Sequence, residues 1–301
     1  MPLRLGTRAS PLAMAQARLV RDALLAAHGL DGEQVVLVPM TTLGDQVIDR
    51  PLAEIGGKAL WTKPLDRALL AHEIDLAVHS LKDVETVRPA SIVIAACLPR
   101  ADPRDRLLGA PAIAALPIGA TVGTSSPRRA AQLRRQRADL RVVPFRGNVA
   151  TRLDKLTRGE ADATLLAAAG LDRLGQAEVG APVSIAELLP ACGQGIVAVE
   201  VRADDADTLG LVSAIDFLPT SAAARAERAF LAALGADCHS PAGVHARWES
   251  EALRLEAQLL TEDGREEARD TTVIAHEDEA GAFARDLRAR APAAVRALFD
   301  G

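Results

Sequence analysis

Two α/β domains with a cleft between them, followed by a small C-terminal α+β domain, are the fold class that this 301-residue sequence predicts. Three observations predict it. A strand-then-helix rhythm runs from residue 3 to residue 98 and restarts near residue 120, and two successive β/α blocks imply two helix-covered sheets. After about residue 218 the rhythm gives way to a helix, an alternating hairpin and a closing helix. The chain is also too long for one ordinary core.

In the first block "LRLG" is a short strand, and "SPLAMAQARLVRDALLAAHG" is a helix with Ser10 as N-cap, Pro11 at the first position and Gly29 at the end. "VVLVPM" (35–40), "IDLAVHS" (74–80) and "SIVIAACL" (91–98) are β-branched apolar runs, as expected of strands buried on both faces. "TKPLDRALLAHE" (62–73) supplies a helical period between them, and residues 101–120 read as a crossing segment. In the second block "ATVGTS" leads into a helix capped by Ser126 and running through Arg137. "LRVVPF" (140–145) is a strand, a helix capped near Asn148 follows, and "ADATLLAAAG" (161–170) is a strand entering another helix. Beyond residue 218, "SAAARAERAFLAALG" is helical, the segment around "TEDG" is an antiparallel hairpin, and "AGAFARDLRARAPAAVRALF" is one closing amphipathic helix.

Composition narrows the function. A formal net charge of −5, no tyrosine and 2% aromatics argue against nucleic acid, whose binders present basic faces and stacking rings. No apolar run approaches the roughly 20 residues of a spanning helix, and "MPLRLGTRAS" lacks the apolar stretch of a secretory signal. Three distant cysteines, Cys97, Cys192 and Cys238, argue for a reducing cytoplasm and against a disulfide framework. The absence of CxxC or HxxxH spacing argues against a structural zinc site, and no metal is expected.

The strand ends hold the chemistry. "GTRAS" (6–10), "HSLKD" (79–83), "GTSSPRR" (123–129) and "RGNVATR" (146–152) each set small hydroxyl or amide residues and a cation at or near a helix N-terminus. Free backbone N–H groups, the helix dipole and a guanidinium fork make such a turn an anion site. Four of them imply a ligand with several carboxylates or phosphates. Within "TSSPRRAAQLRRQR", Arg128 and Arg129 fall in the first helical turn beside the strand end, whereas Arg134, Arg135 and Arg137 read as a solvated face. "GGK" (56–58) is not a phosphate loop, because Leu52 and Ala59 stand where glycine and Ser/Thr are needed. Asp83 beside Lys82 reads either as a surface pair or as a carboxylate that stabilises a cation, and both readings stand. His79 reads as a hydrogen-bonded structural histidine. Cys238, in the Gly- and Pro-containing loop "LGADCHSPAG", is exposed by its turn, which makes sense if the thiol holds something covalently.

Taken together, "LGTRASPLAMAQ", "TTLGD", "IGGKALWTKPLD", "DLAVHSLKDVET", "DPRD", "VGTSSPRRAAQL", "RGNVATRLDKL", "AAAGLDRLG", "GQGIVAVEVR", "AERAFL" and "DCHSPAGVHA" resemble, in order and over nearly the whole chain, the porphobilinogen deaminase (hydroxymethylbilane synthase) family. The resemblance implies two periplasmic-binding-protein-like (type II) domains, 1–98 with 196–215 and 101–193, and a third, 219–301, that carries Cys238. It implies a dipyrromethane cofactor in thioether linkage to Cys238 and Asp83 as the catalytic carboxylate. Arg8, Ser10, Lys58, Lys82, Thr124, Ser126, Arg128, Arg129, Arg146, Arg152 and Arg173 would pair with the carboxylates of cofactor and growing chain, with Gly147, Asn148 and Gln194 also touching the cofactor. The implied reaction, in tetrapyrrole (heme) synthesis, condenses four porphobilinogen molecules into linear hydroxymethylbilane with release of ammonia. The implied enzyme is a cytoplasmic monomer that hands its product to uroporphyrinogen III synthase and has no nucleic-acid or membrane partner. A non-enzymatic polycarboxylate-binding or effector-sensing module of the same fold is the alternative, and it would leave Cys238 and Asp83 without a task.

Overall fold

Ser10 accepts a hydrogen bond from Ala13 N and Gly29 closes the same helix in the left-handed conformation, so local capping sets the first β/α unit. The computed structural model describes residues 2–41 and 62–299. In chain order the elements are β1 (Leu3–Arg8), α1 (Pro11–His28), β2 (Val35–Met40), α2 (Lys63–Leu70), β3 (Leu76–Ser80) and β4 (Ile92–Cys97). Then come β5 (Asp105–Leu108), β6 (Thr121–Gly123), α3 (Pro127–Gln136), β7 (Arg141–Val143), α4 (Val149–Thr157), β8 (Ala163–Ala167), α5 (Ala168–Arg173) and β9 (Ala181–Pro182). β10 (Val197–Arg202), α6 (Ala206–Ser213), α7 (Leu218–Ala232), β11 (Ala242–Glu249), β12 (Ala252–Leu260), β13 (Glu267–Ile274), α8 (Asp278–Arg290) and α9 (Ala293–Arg296) complete the chain.

The chain divides into two compact units, Met1–Ala101 with Ile196–Ser221, and Asp102–Gly195 with Ala222–Gly301. The first holds a sheet of order β2-β1-β3-β10-β4 and the second a sheet of order β7-β6-β8-β5-β9. In each, three parallel strands are followed by one that enters antiparallel: β10 against β3 and β4, and β5 against β8 and β9. Each unit is thus built on a mixed sheet in an α/β arrangement. Leu5, Val20, Leu24, Leu76, Val199 and Val201 form the first core, and Leu107, Val122, Leu133, Leu165 and Leu188 the second. The second unit also contains a three-stranded sheet, β11-β12-β13, with its own core around Phe230, Leu255, Leu259 and Leu287.

Several elements differ from the sequence reading. The supposed crossing segment contains β5, a strand inside the second sheet. β2 is an edge strand with Val36 42% exposed, rather than buried on both faces. The terminal hairpin is a three-stranded meander, and the closing helix breaks into α8 and α9 at Ala291 and Pro292, because proline lacks the N–H that would continue the helix.

Candidate functional site

In the first unit β1 and β3 run parallel, so their carboxyl ends share one edge of the sheet. That edge carries Arg8 and Ser10 on one side and Ser80, Lys82 and Asp83 on the other. Asp83 closes a single 3-10 turn, Leu81–Asp83. The turn is anchored by buried Leu81 and Val84, by Leu81 N donating to Ile196 O at 3.0 Å, and by Gln16 Nε2 donating to Ser80 Oγ at 2.8 Å. Among the described residues the half-buried Asp83 carboxylate accepts no hydrogen bond.

Behind this turn lies a charged floor. His79 Nε2 is 3.1 Å from Glu200 Oε2, and Arg88 bridges Glu200, Glu85 and Asp66 at 2.8, 2.6 and 2.5 Å. Burial would raise the Glu200 carboxyl, but His79 and Arg88 hold it below its ordinary value. His79 is therefore structural, as its place inside the strand suggests.

In the second unit β6, β7 and β8 are parallel, so the segments 124–129, 146–152 and 168–173 leave the same sheet edge. Antiparallel β5 begins at that edge, with Asp105 opposite Ala167. The Asp105 carboxylate is fully buried and receives Arg128 Nη2 at 2.8 Å, Arg129 Nη2 at 2.6 Å and Gln194 Nε2 at 2.8 Å. Arg128 Nη1 also donates to Leu189 O and Arg129 Nη1 to Leu165 O. Burial would push the Asp105 carboxyl up, yet the Arg129 and Arg128 guanidiniums hold it well below the usual carboxylate range. Two guanidiniums and one carboxylate leave one net positive charge at the N-terminus of α3. The sequence placed both arginines in the first helical turn; it did not reveal Asp105 as their partner.

Thr124 is buried, its Oγ1 accepts from Ser126 N at 3.2 Å, and Ser126 Oγ caps α3 by accepting from Arg129 N. A side chain at Gly123 would put its Cβ 2.3 Å from the Phe145 ring, so glycine lets the two strand ends close up. Arg134 donates to Glu262 O and Arg135 pairs with Glu267, so this face of α3 meets the turn between β12 and β13. Arg137 binds Asp139. The solvated-face reading thus gives way to a partly engaged one.

Arg146 precedes Gly147, whose φ of 112° suits glycine. Asn148 Oδ1 caps α4 by accepting from Thr151 N at 2.9 Å, and Arg152 Nε donates to Gly147 O at 3.1 Å. Arg146 Nη1 is a buried donor with no hydrogen-bond partner among the described residues. Arg173 Nη2 donates to Gly195 O at 2.7 Å. Gln194 is buried and also donates to Pro103 O. Glu227, fully buried on α7, accepts from Gly193 N at 2.7 Å and Ala246 N at 2.8 Å; sequence reasoning missed it because nothing local marks an acidic residue in an alanine-rich helix as a long-range acceptor.

Cys238 is exposed on the turn between α7 and β11, whereas Cys97 is buried and Cys192 half-buried. Asp237 N donates to Ser240 Oγ and Ser240 N to Asp237 O, which closes the turn and presents the sulfur. Lys58 lies outside the described residues. An accessible thiol and an unmatched buried guanidinium Nη1 are the donor set that a thioether-linked polycarboxylate requires, so the residues present fit the implied dipyrromethane.

Residues 3–210 match the family model "Porphobilinogen deaminase, dipyromethane cofactor binding domain", and residues 221–291 match "Porphobilinogen deaminase, C-terminal domain". The chain is 56% identical over 304 residues to the porphobilinogen deaminase of Sphingopyxis alaskensis, covering 99% of this chain and 96% of that protein. It is 50% identical to the enzyme of that name from Paracoccus denitrificans, over 97% and 95% of the two chains. A periplasmic substrate-binding protein of an ABC transporter from Coxiella burnetii is similar at a TM-score of 0.43, with 18% identity over 71% of this chain and 91% of its own. The two domain matches and the relatives that span nearly its full length place the chain in the porphobilinogen deaminase family.

Proposed function

We propose that this chain condenses four porphobilinogen molecules head to tail into hydroxymethylbilane, releasing ammonia at each step, on a dipyrromethane held by Cys238. The observation that carries the reading is the exposed Cys238 thiol, presented by a closed turn while the other two cysteines are withdrawn. When bound, the dipyrromethane supplies the pyrrole position to which substrate rings are added. Asp83 accepts hydrogen bonds from pyrrole N–H groups and stabilises the positive charge on a substrate ring as ammonia departs. Arg8, Lys82, Arg146, Arg152 and Arg173, with Lys58, pair with acetate and propionate groups, and Ser10, Thr124, Ser126, Gly147 and Asn148 add hydrogen bonds. Arg128, Arg129 and Gln194 act with Asp105 as a fixed cationic block beneath the α3 N-terminus, so that its free N–H groups face a carboxylate.

A purely solute-binding module would need neither Asp83 nor an exposed Cys238, and the family match does not favour it. Among the described residues no helix is long and apolar enough to cross a membrane. We further infer a cytoplasmic monomer whose product passes to uroporphyrinogen III synthase. Intact-mass measurement tests the central claim. The purified chain should carry two pyrrole units, lost in Cys238→Ser and kept in Cys97→Ala and Cys192→Ala. An unmodified mass in active enzyme overturns it.

A further inference from the structure

The turn that presents Cys238 also surrounds its sulfur with charge. His239 Nδ1 lies 3.5 Å from Cys238 Sγ and 3.5 Å from Asp237 Oδ1. The same Asp237 oxygen accepts the His239 backbone N–H at 2.8 Å, so backbone and ring are held by one carboxylate. Ligand-type atoms of Asp237, Cys238 and His239 all lie within 4.8 Å of one another. One ring nitrogen, Nδ1, thus faces both the carboxylate and the sulfur. Cys238 and His239 are exposed, so a pyrrole can reach the sulfur.

We propose that His239 sets a positive charge against the Cys238 sulfur, with Asp237 steadying the ring, and that this pairing readies the sulfur for covalent loading. The proposal rests on the reading of Cys238 as the attachment point. In the loading step the Cys238 sulfur forms an S–C bond, through its lone pair, to the exocyclic methylene carbon of an aminomethylpyrrole such as porphobilinogen. The carbon–nitrogen bond breaks and its electron pair leaves with nitrogen. The proton that the thiol gives up ends on that nitrogen, which departs as ammonia. Nothing is oxidised or reduced.

The charge balance supports the pairing. Hydrogen bonding to Asp237, and then to the Cys238 sulfur, pushes the His239 imidazole up to about 10, although burial opposes the charge. The groups that face the ring are the Asp237 carboxylate and the Cys238 sulfur. A histidine raised in this way stays protonated through neutral pH, and a fixed cation beside a cysteine favours its nucleophilic form.

The test uses full-length chain made in cells that supply no porphobilinogen, in a Cys97→Ala/Cys192→Ala background and with a chelator present, so that one thiol is read. Alkylation of Cys238 by iodoacetamide, followed by intact mass from pH 5.5 to 9, reads the pair directly. With His239 present the rate should change by less than about threefold between pH 6 and 8. In His239→Gln it should fall by about tenfold per pH unit below the ordinary thiol range. Adding porphobilinogen at pH 7 should load His239→Gln at least about tenfold more slowly, and His239→Lys, which restores a cation, should recover part of the rate. His239 is exposed, so these variants should fold. Superimposable pH–rate curves for the parent and His239→Gln would overturn the pairing. A flat parent curve without any gain of pyrrole mass would instead overturn Cys238 as the attachment point.

Discussion

Asp105 and Arg129 meet side-on inside the second unit, with Oδ1 2.6 Å from Nη2 and Oδ2 3.2 Å from Nε. Arg128 takes the same carboxylate at 2.8 Å, so one buried acid holds two cations at the edge where β6 and β8 end. Removing one member of a buried charge group typically costs about 3–5 kcal/mol, because its partners stay buried without compensation. Asp105→Asn should therefore lower the melting temperature of purified protein markedly and reduce cofactor loading, read by intact mass. The pH dependence has a definite sign. The Asp105 carboxyl is depressed relative to the unfolded chain, so its stabilisation is complete above the usual carboxylate range and is lost as pH falls below about 4. The parent should lose stability on acidification over that window, while the Asn variant should show a shallower loss. Equal acid profiles would show that Asp105 is not the group that titrates.

The arginine-rich helix start divides into two classes. Arg128→Leu or Arg129→Leu should hinder cofactor loading or chain elongation by at least about tenfold, since a hydrogen bond to a charged group contributes about 1.5–3 kcal/mol. Both should also be destabilised, because each leaves Asp105 with one cation. Arg129→Lys separates the effects, as it keeps the charge but loses the fork that spans both Asp105 oxygens. Arg134→Leu and Arg137→Leu should leave product formation within about twofold, since substitutions away from the site rarely do more. Comparable losses in all four leucine variants would mean that the whole face of α3 serves the ligand.

What the sequence reveals and what it hides follows from the range of each interaction. The caps at Ser10, Ser126 and Asn148 were legible because each side chain bonds a backbone N–H three residues on. The exposure of Cys238, in a Gly- and Pro-containing loop, was legible for a similar local reason. Asp105 was not: its partners lie 23, 24 and 89 residues away, and only insertion of β5 antiparallel beside β8 brings them together. Arg134 and Arg135 looked solvated because their acceptors in the turn after β12, Glu262 O and Arg265 O, are more than a hundred residues distant. Periodicity finds elements and caps; it does not show which edge two strands share.

Asp83 offers a sharper test of chemistry. Asp83→Asn keeps size and hydrogen bonding but removes the charge that would stabilise a cationic pyrrole. Loss of one preorganised electrostatic group costs on the order of 100- to 1,000-fold in turnover. The half-buried position on a turn anchored by Leu81 and Val84 predicts normal folding and normal pyrrole mass in this variant. Steady-state product formation checks it, and turnover near that of the parent would reduce Asp83 to a structural residue.

Glu227 joins three parts of the second unit without touching its proposed chemistry. Its two oxygens accept the N–H groups of Gly193 and Ala246, which ties α7 to the loop before β10 and to β11. The carboxylate is fully buried, and each N–H left without an acceptor costs about 1–3 kcal/mol. Glu227→Ala strands both donors. Glu227→Gln keeps one acceptor oxygen but turns an NH2 group toward the other N–H, so it repairs only half of the site. The expected order of melting temperature is parent, then Gln, then Ala, with the Ala variant about 4–24 °C below the parent, at 2–4 °C per kcal/mol for a unit of this size. Because Gly193 adjoins Gln194, which holds Asp105 at 2.8 Å, loading of the dipyrromethane should weaken in the same order. A Gln variant as unstable as Ala would mean that charge, rather than acceptor geometry, is what Glu227 contributes.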